Sequence, residues 1–144
     1  MKRLFSLAGL TFIFLALITG GCEKPLDEAI IGKWEVQFQK IQGFSGETMV
    51  VEEIDTMETN EMVIEIIDDG TGKTWKFDEL DSEFTWVLEG TMTTVTVAGD
   101  TPQVMEFETT IKKKTLTLVW TVTQTKSKAE IDKMKMIIIA HRVD

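Results

Sequence analysis

The chain has 144 residues, of which 27% are charged and 43% hydrophobic, and its formal net charge at pH 7 is −9. This length is typical of a single globular domain, and the acidic excess argues against a nucleic-acid-binding protein, which needs a basic surface. With one cysteine in the sequence, no disulfide can form within the chain.

The first 21 residues have the pattern of a secretion signal. Lys2 and Arg3 precede an apolar run that carries no charge until Glu23, which is the order of a basic head and a hydrophobic stretch in exported proteins. The densest apolar part, residues 7–18, is shorter than the roughly 20 apolar residues of a membrane-spanning helix. We therefore predict a signal peptide over residues 1–21.

The single cysteine, Cys22, directly follows Gly20 and Gly21. This stretch resembles the lipobox of bacterial lipoproteins, although Thr19 stands where that family usually has an aliphatic residue. The resemblance implies that Cys22 carries acyl chains such as palmitate and becomes the first residue of the mature protein. Two or three acyl chains anchor a protein stably to a membrane. The alternative is an ordinary secreted protein with a free thiol.

Residue 23 gives an indication of the membrane in which the protein is located. Glu23 follows the cysteine, whereas an Asp there favours retention in the inner membrane in the usual lipoprotein sorting scheme. The resemblance therefore implies an outer-membrane protein, on either the periplasmic or the cell-surface side. Residues 22–30 are interpreted as the lipidated N-terminus and a linker, and residues 31–144 as the domain.

Apolar and polar residues alternate from Ile31 onward, which is typical of strands. The stretch KWEVQFQ places Trp34, Val36 and Phe38 on one predicted face, and DDGTG at residues 68–72 has the residues of a tight turn. Eight or nine short strands in series predict an all-β, single antiparallel up-and-down barrel of about eight strands. A two-sheet Greek-key sandwich is the alternative, and the short connections count against it.

One segment, residues 43–60, is harder to interpret. It is either a second strand with a long loop or a flap over the barrel mouth.

Large apolar side chains fall on one face of successive predicted strands, which in a barrel is the inside. They form either a plain core or the wall of a cavity for one small apolar or amphipathic ligand. These residues are Trp75, Phe77, Phe84, Trp86, Met105, Phe107 and Trp120.

Few residues suit catalysis or metal binding. His141 is the only histidine and is predicted to face outward from the last strand, so a Ser-His-Asp enzyme or a zinc site is disfavoured. The acidic stretch FDELDSE, residues 77–83, is interpreted as a solvated turn rather than a calcium loop. We predict no catalytic site, no cofactor and no metal.

Gly32, Lys33 and Trp34 match a G-x-W motif at the start of the first strand. With the later runs FTWVLEGTMTTVTV and TLTLVW and a final strand ending in Arg142, the chain resembles small bacterial lipocalin-like lipoproteins over residues 31–144. The resemblance implies an eight-stranded barrel in which Arg142 lies over Trp34.

The same resemblance implies a membrane-tethered protein that binds a small apolar ligand. The alternative is an accessory protein with a filled barrel that contacts another component of the envelope. No sequence pattern identifies the ligand, the partner or the oligomeric state.

Overall fold

The structure, a computed structural model, describes residues 24–123 and 131–143. The predicted signal peptide and Cys22 lie outside these ranges. Within them the elements are α1 (Leu26–Ala29), β1 (Gly32–Ser45), β2 (Thr48–Thr56), β3 (Val63–Ile66), β4 (Thr71–Lys76), β5 (Glu79–Glu89), β6 (Met92–Val97), β7 (Gln103–Lys112), β8 (Thr115–Thr123) and β9 (Lys133–Arg142). No helix in the described ranges is both long and apolar enough to span a bilayer.

Eight of the nine described strands form a closed antiparallel barrel. The strands β3 to β9 pair in chain order, β3 also pairs with β1, and β9 returns to pair with β1 along most of its length. Closure of this kind removes the free edges of the ring. The prediction of an all-β up-and-down barrel is confirmed.

The ninth strand, β2, lies outside the ring. On one edge of the long strand β1, β3 pairs with residues 32–35 and β2 pairs with residues 38–45. The tip of the β1–β2 hairpin is tied to β9, since the backbone N–H of Gly46 donates to the Asp132 carboxylate at 3.1 and 3.2 Å. The segment 43–60 therefore contains the end of β1, a tight turn, the second strand β2 and the start of the loop that leads to β3.

The barrel has two different ends. At the end called here the base, β1 begins, β9 ends and α1 lies close by; the turns 67–70, 90–91 and 113–114 belong to this end. The β1–β2 hairpin and the connections 57–62, 77–78 and 98–102 lie at the opposite end, called the mouth.

The predicted turn between β3 and β4 is confirmed. Gly70 has a φ of +85°, and Asp69 accepts hydrogen bonds from the Thr71 hydroxyl at 2.5 Å and the Thr71 backbone N–H at 2.9 Å. These hydrogen bonds from Thr71 favour the ionised carboxylate and lower the pKa of Asp69 below its usual value.

The prediction that Phe38 shares the inner face with Trp34 and Val36 is wrong. The register of β1 against β9 shifts between Val36 and Phe38, and a bulge of one extra residue reverses the alternation of side chains. Gln39 therefore faces the interior, while the Phe38 ring lies outside, 5.6 Å from the Lys40 ammonium.

Trp75 also lies outside, contrary to prediction. Gly72 and Thr74 hold the inner positions of β4, and the Phe84 ring occupies the space that a side chain at residue 72 would need. The Trp75 indole N–H instead donates to Glu65 at 2.9 Å on the outer surface.

Phe77 is the third residue that the inner-face prediction misplaces. It begins the β4–β5 turn with a φ of +49° and is 53% exposed. The chain leaves the strand direction at this residue, so the alternation of β4 does not extend to it.

Gly72 fits the barrel wall because it has no side chain. A Cβ at this position would lie 2.2 Å from the Phe84 ring and 2.9 Å from the Glu65 carbonyl oxygen. Phe84 is its cross-strand partner and is buried. The ring therefore packs directly against the β4 backbone.

Replacing Gly72 with alanine should destabilise the barrel by about 1–3 kcal/mol, because the Phe84 ring must move from a well-packed position. Chemical denaturation measures the effect. Gly99→Ala is the control, since its new Cβ has no heavy atom closer than 3.7 Å. Equal stability of the two variants would contradict this packing.

Candidate functional site: the barrel interior and its base

Trp34 and Arg142 close the base of the barrel. They are cross-strand partners on β1 and β9, and the guanidinium carbon lies 4.5 Å from the centroid of the indole ring. Trp34 is completely buried. The predicted contact between these two residues is confirmed, and its geometry is that of a cation–π interaction.

Hydrogen bonds tie this pair to the segment after α1. The Trp34 indole N–H donates to the Ile30 carbonyl at 2.8 Å, and Arg142 donates to the carbonyls of Ile31, at 3.1 Å, and Ala29. Carbonyls at the end of a helix have no partner within the helix, so these two side chains satisfy them. The Ile30 side chain, fully buried, plugs the base from the same segment.

The glycine of the G-x-W motif completes the base. Gly32 has a φ of +139°, which L side chains rarely adopt, and a Cβ there would lie 2.7 Å from an Arg142 guanidinium nitrogen. Gly32, Trp34 and Arg142 therefore form one packed unit that fixes α1 to the barrel.

Above the base the barrel encloses a cavity of about 230 Å³. Its wall is mostly apolar. The lining residues are Ile30, Met62, Ile64, Ile66, Phe84, Trp86, Val95, Val97, Met105, Phe107, Leu118, Met136 and Ile138, with the polar residues Gln39, Thr74, Ser82 and Thr93.

Four of the seven residues predicted on the inner face line this cavity: Phe84, Trp86, Met105 and Phe107. Trp120 packs against the core beside Phe107 without lining the cavity, and Trp75 lies outside. The Trp86 ring is held in place because its N–H lies between the carbonyl oxygens of Ile67 and Thr71, at 2.9 and 3.0 Å.

Three methionines, Met62, Met105 and Met136, lie in the cavity wall. Their unbranched, polarisable side chains adapt to irregular shapes. This part of the wall can therefore adjust to a bound molecule at low cost.

Three of the four polar side chains of the wall form hydrogen bonds with other hydroxyl-bearing side chains. Thr93 and Thr109 hydroxyls lie 2.6 Å apart, and Thr109 in turn donates to the Phe107 carbonyl at 3.1 Å. Since a hydroxyl has one proton, Thr93 is the donor to Thr109. Thr74 and Ser82 hydroxyls form a second pair at 2.5 Å.

Gln39 differs from these residues and was missed by the sequence prediction. Its side-chain nitrogen lies 3.7 Å from the Met62 sulfur, a weak acceptor. A glutamine between Phe38 and Lys40 has the appearance of an outward residue, and only the bulge turns it inward.

The described part of the chain offers few groups for metal binding or catalysis. It contains no group of three or more His, Cys, Asp or Glu side chains placed to hold a metal ion. His141 is exposed on β9, on the outer face as predicted, and the acidic side chains of residues 78–83 are exposed.

Comparison with protein-family models, with curated proteins and with solved structures found no match for this chain. The geometry of the barrel therefore carries the functional interpretation.

The Trp34–Arg142 contact should appear as an energetic coupling. In a double-mutant cycle, Trp34→Phe and Arg142→Ala should be coupled by about 1 kcal/mol in the free energy of unfolding, as expected for a partly buried cation–π pair. The control cycle combines Arg142→Ala with Trp75→Phe, whose ring lies on the outer face of β4, and should be additive. Additivity in the first cycle would refute the interaction.

Proposed function

We propose that this protein is a membrane-anchored envelope lipoprotein whose lipocalin-like barrel binds one small apolar or amphipathic molecule. The observation that carries the proposal is the cavity of about 230 Å³ inside the closed barrel, with a mostly apolar wall. Cavities with apolar walls and a few polar groups are the usual sites for small molecules.

The cavity size favours a compact ligand. Sites for drug-sized molecules have volumes of roughly 300–1,000 Å³, which is larger than this cavity. A molecule with one or two rings, or a short aliphatic chain, fits better than a long acyl chain. The base is plugged by Ile30 and Arg142, so the ligand would enter through the mouth.

In the sequence, the proposed lipid anchor lies only a few residues before the segment that is fixed to the base. Cys22 is four residues before α1, which begins at Leu26 and is fixed to the base by Trp34 and Arg142. A tether this short would hold the base towards the membrane and direct the mouth away from it. The outer membrane is the proposed location because Glu23 follows Cys22.

We propose binding rather than catalysis. The single histidine, His141, is exposed on the outer face of the barrel and does not line the cavity. The cavity wall itself consists of apolar side chains, one amide and three hydroxyl-bearing residues, none of which has an activating base among the lining residues.

An accessory role in the envelope is the second candidate. The strand β2 pairs with β1 alone among the described strands, and Met49, Val50, Val51 and Ile54 are exposed on it. A free strand edge is a template for pairing with another chain. Glu52, Glu53 and Asp55 on the same strand would favour a partner with basic side chains.

Bromobenzene, a small uncharged quencher, should reduce tryptophan fluorescence in a saturable manner by entering the cavity. Trp86 lines the cavity and Trp75 lies outside. Trp86→Phe should therefore remove most of the saturable quenching, while Trp75→Phe should leave it unchanged.

Quenching that rises linearly with bromobenzene concentration would show collisions with exposed rings only. That result would contradict an accessible cavity and favour the accessory role.

Cys22→Ala should abolish incorporation of labelled palmitate and leave an uncleaved precursor, because the chain contains no other cysteine. Thr19→Leu, which supplies the aliphatic residue usual in the lipobox, is the control and should be labelled at least as well as the wild type. Equal labelling of Cys22→Ala and the wild type would contradict lipidation at this residue.

A further inference from the structure

The wall of the barrel cavity contains no charged side chain. Every lining residue is apolar or carries a neutral amide or hydroxyl group. Burial of an ionised group without a partner is costly, so the cavity itself offers nothing to balance the charge of a carboxylate or an ammonium group.

Among the polar groups of the wall, most hydrogen-bond donors are already used by the protein. Thr93 donates to Thr109, the Thr74 and Ser82 hydroxyls share a hydrogen bond, and the Trp86 N–H lies against two backbone carbonyls. These groups keep the wall rigid and leave little donor capacity for a ligand.

The Gln39 side-chain amide can form further hydrogen bonds, both as a donor and as an acceptor. In the described part of the chain its side chain makes one weak contact, from its nitrogen to the Met62 sulfur at 3.7 Å. An amide provides two N–H donors and one carbonyl acceptor. A polar atom of a ligand beside Gln39 could therefore both accept and donate a hydrogen bond.

Gln39 also lies where the cavity meets an acidic groove. The same side chain borders a groove with Ile41 from β1 and Glu53, Ile54 and Asp55 from β2. Asp55 is the cross-strand partner of Gln39, and Glu53 is that of Ile41. Two carboxylates at this point would repel an anionic head group and attract a cationic one.

We propose that the ligand of this barrel carries no negative charge, and that it places a hydroxyl or carbonyl oxygen against the Gln39 amide and its apolar body in the cavity. This inference rests on the proposed ligand-binding function and narrows it, because it excludes free carboxylic acids such as fatty acids. Gln39 is then the residue that orients the ligand and selects it.

The test uses four compounds with the same ring system: naphthalene, 1-naphthol, 1-naphthoate and 1-naphthylmethylammonium. Isothermal titration calorimetry gives the affinity of each for the wild type, Gln39→Leu and Gln42→Leu. Gln42 is the matched control because it lies on the other face of β1, bonded to Glu52 at 2.8 Å. Gln39→Met replaces Gln39→Leu as the test variant if the leucine variant does not fold.

The wild type should bind naphthalene and 1-naphthol more tightly than it binds 1-naphthoate. 1-Naphthylmethylammonium should also bind more tightly than 1-naphthoate, because Glu53 and Asp55 border the groove beside Gln39. In Gln39→Leu, the affinity of 1-naphthol relative to naphthalene should fall roughly threefold to tenfold, the worth of one neutral hydrogen bond. In Gln42→Leu this ratio should not change.

The outcomes separate the two proposals. An unchanged affinity ratio of 1-naphthol to naphthalene in Gln39→Leu, or tightest binding of 1-naphthoate, would overturn this inference while ligand binding stands. Failure of all four compounds to bind the wild type would overturn the ligand-binding function itself, and this inference with it.

Discussion

The structure depends on the pairing of β1 with β9, because this pairing turns a linear series of hairpins into a closed ring. Arg142 and Trp34 lie at the base end of the pairing, where the guanidinium covers the indole and both side chains bind carbonyls after α1. One contact thus joins the first strand, the last strand and the N-terminal segment. The cavity exists because the ring is closed and its base is plugged.

A register shift within the same strand decides what the interior can recognise. Before the bulge β1 presents Trp34 and Val36 to the core, and after it Gln39. Without the extra residue, the Phe38 ring would occupy the interior and the glutamine would be solvated. The bulge therefore places a hydrogen-bonding amide, rather than the Phe38 ring, at the mouth side of the cavity. β-Bulges frequently change the direction of side chains in this way.

The sequence predicted the all-β barrel and the inner faces of β7 and β8, because strict alternation marks those strands. The contact of Trp34 with Arg142 was expected from the resemblance carried by the G-x-W motif, not from alternation. The prediction of inner faces failed for Phe38 and Gln39, since a bulge depends on the register of the neighbouring strand and has no signature in KWEVQFQ. It failed for Trp75 because Gly72 and Thr74 hold the inner positions of β4, where the Phe84 ring packs directly against the backbone of Gly72. The sequence could not decide between a filled core and a cavity, because the volume inside the barrel depends on how completely the aromatic side chains of several strands fill it.

Ligand binding requires that the closed barrel hold a space that a small apolar molecule can reach. Crystals of residues 23–144 equilibrated with xenon under pressure test it most directly, because xenon occupies apolar cavities without needing any specific group. We expect a xenon site inside the barrel in contact with Phe84, Trp86 and Phe107, which line the cavity. An interior filled by side chains, with no xenon between them, would contradict it.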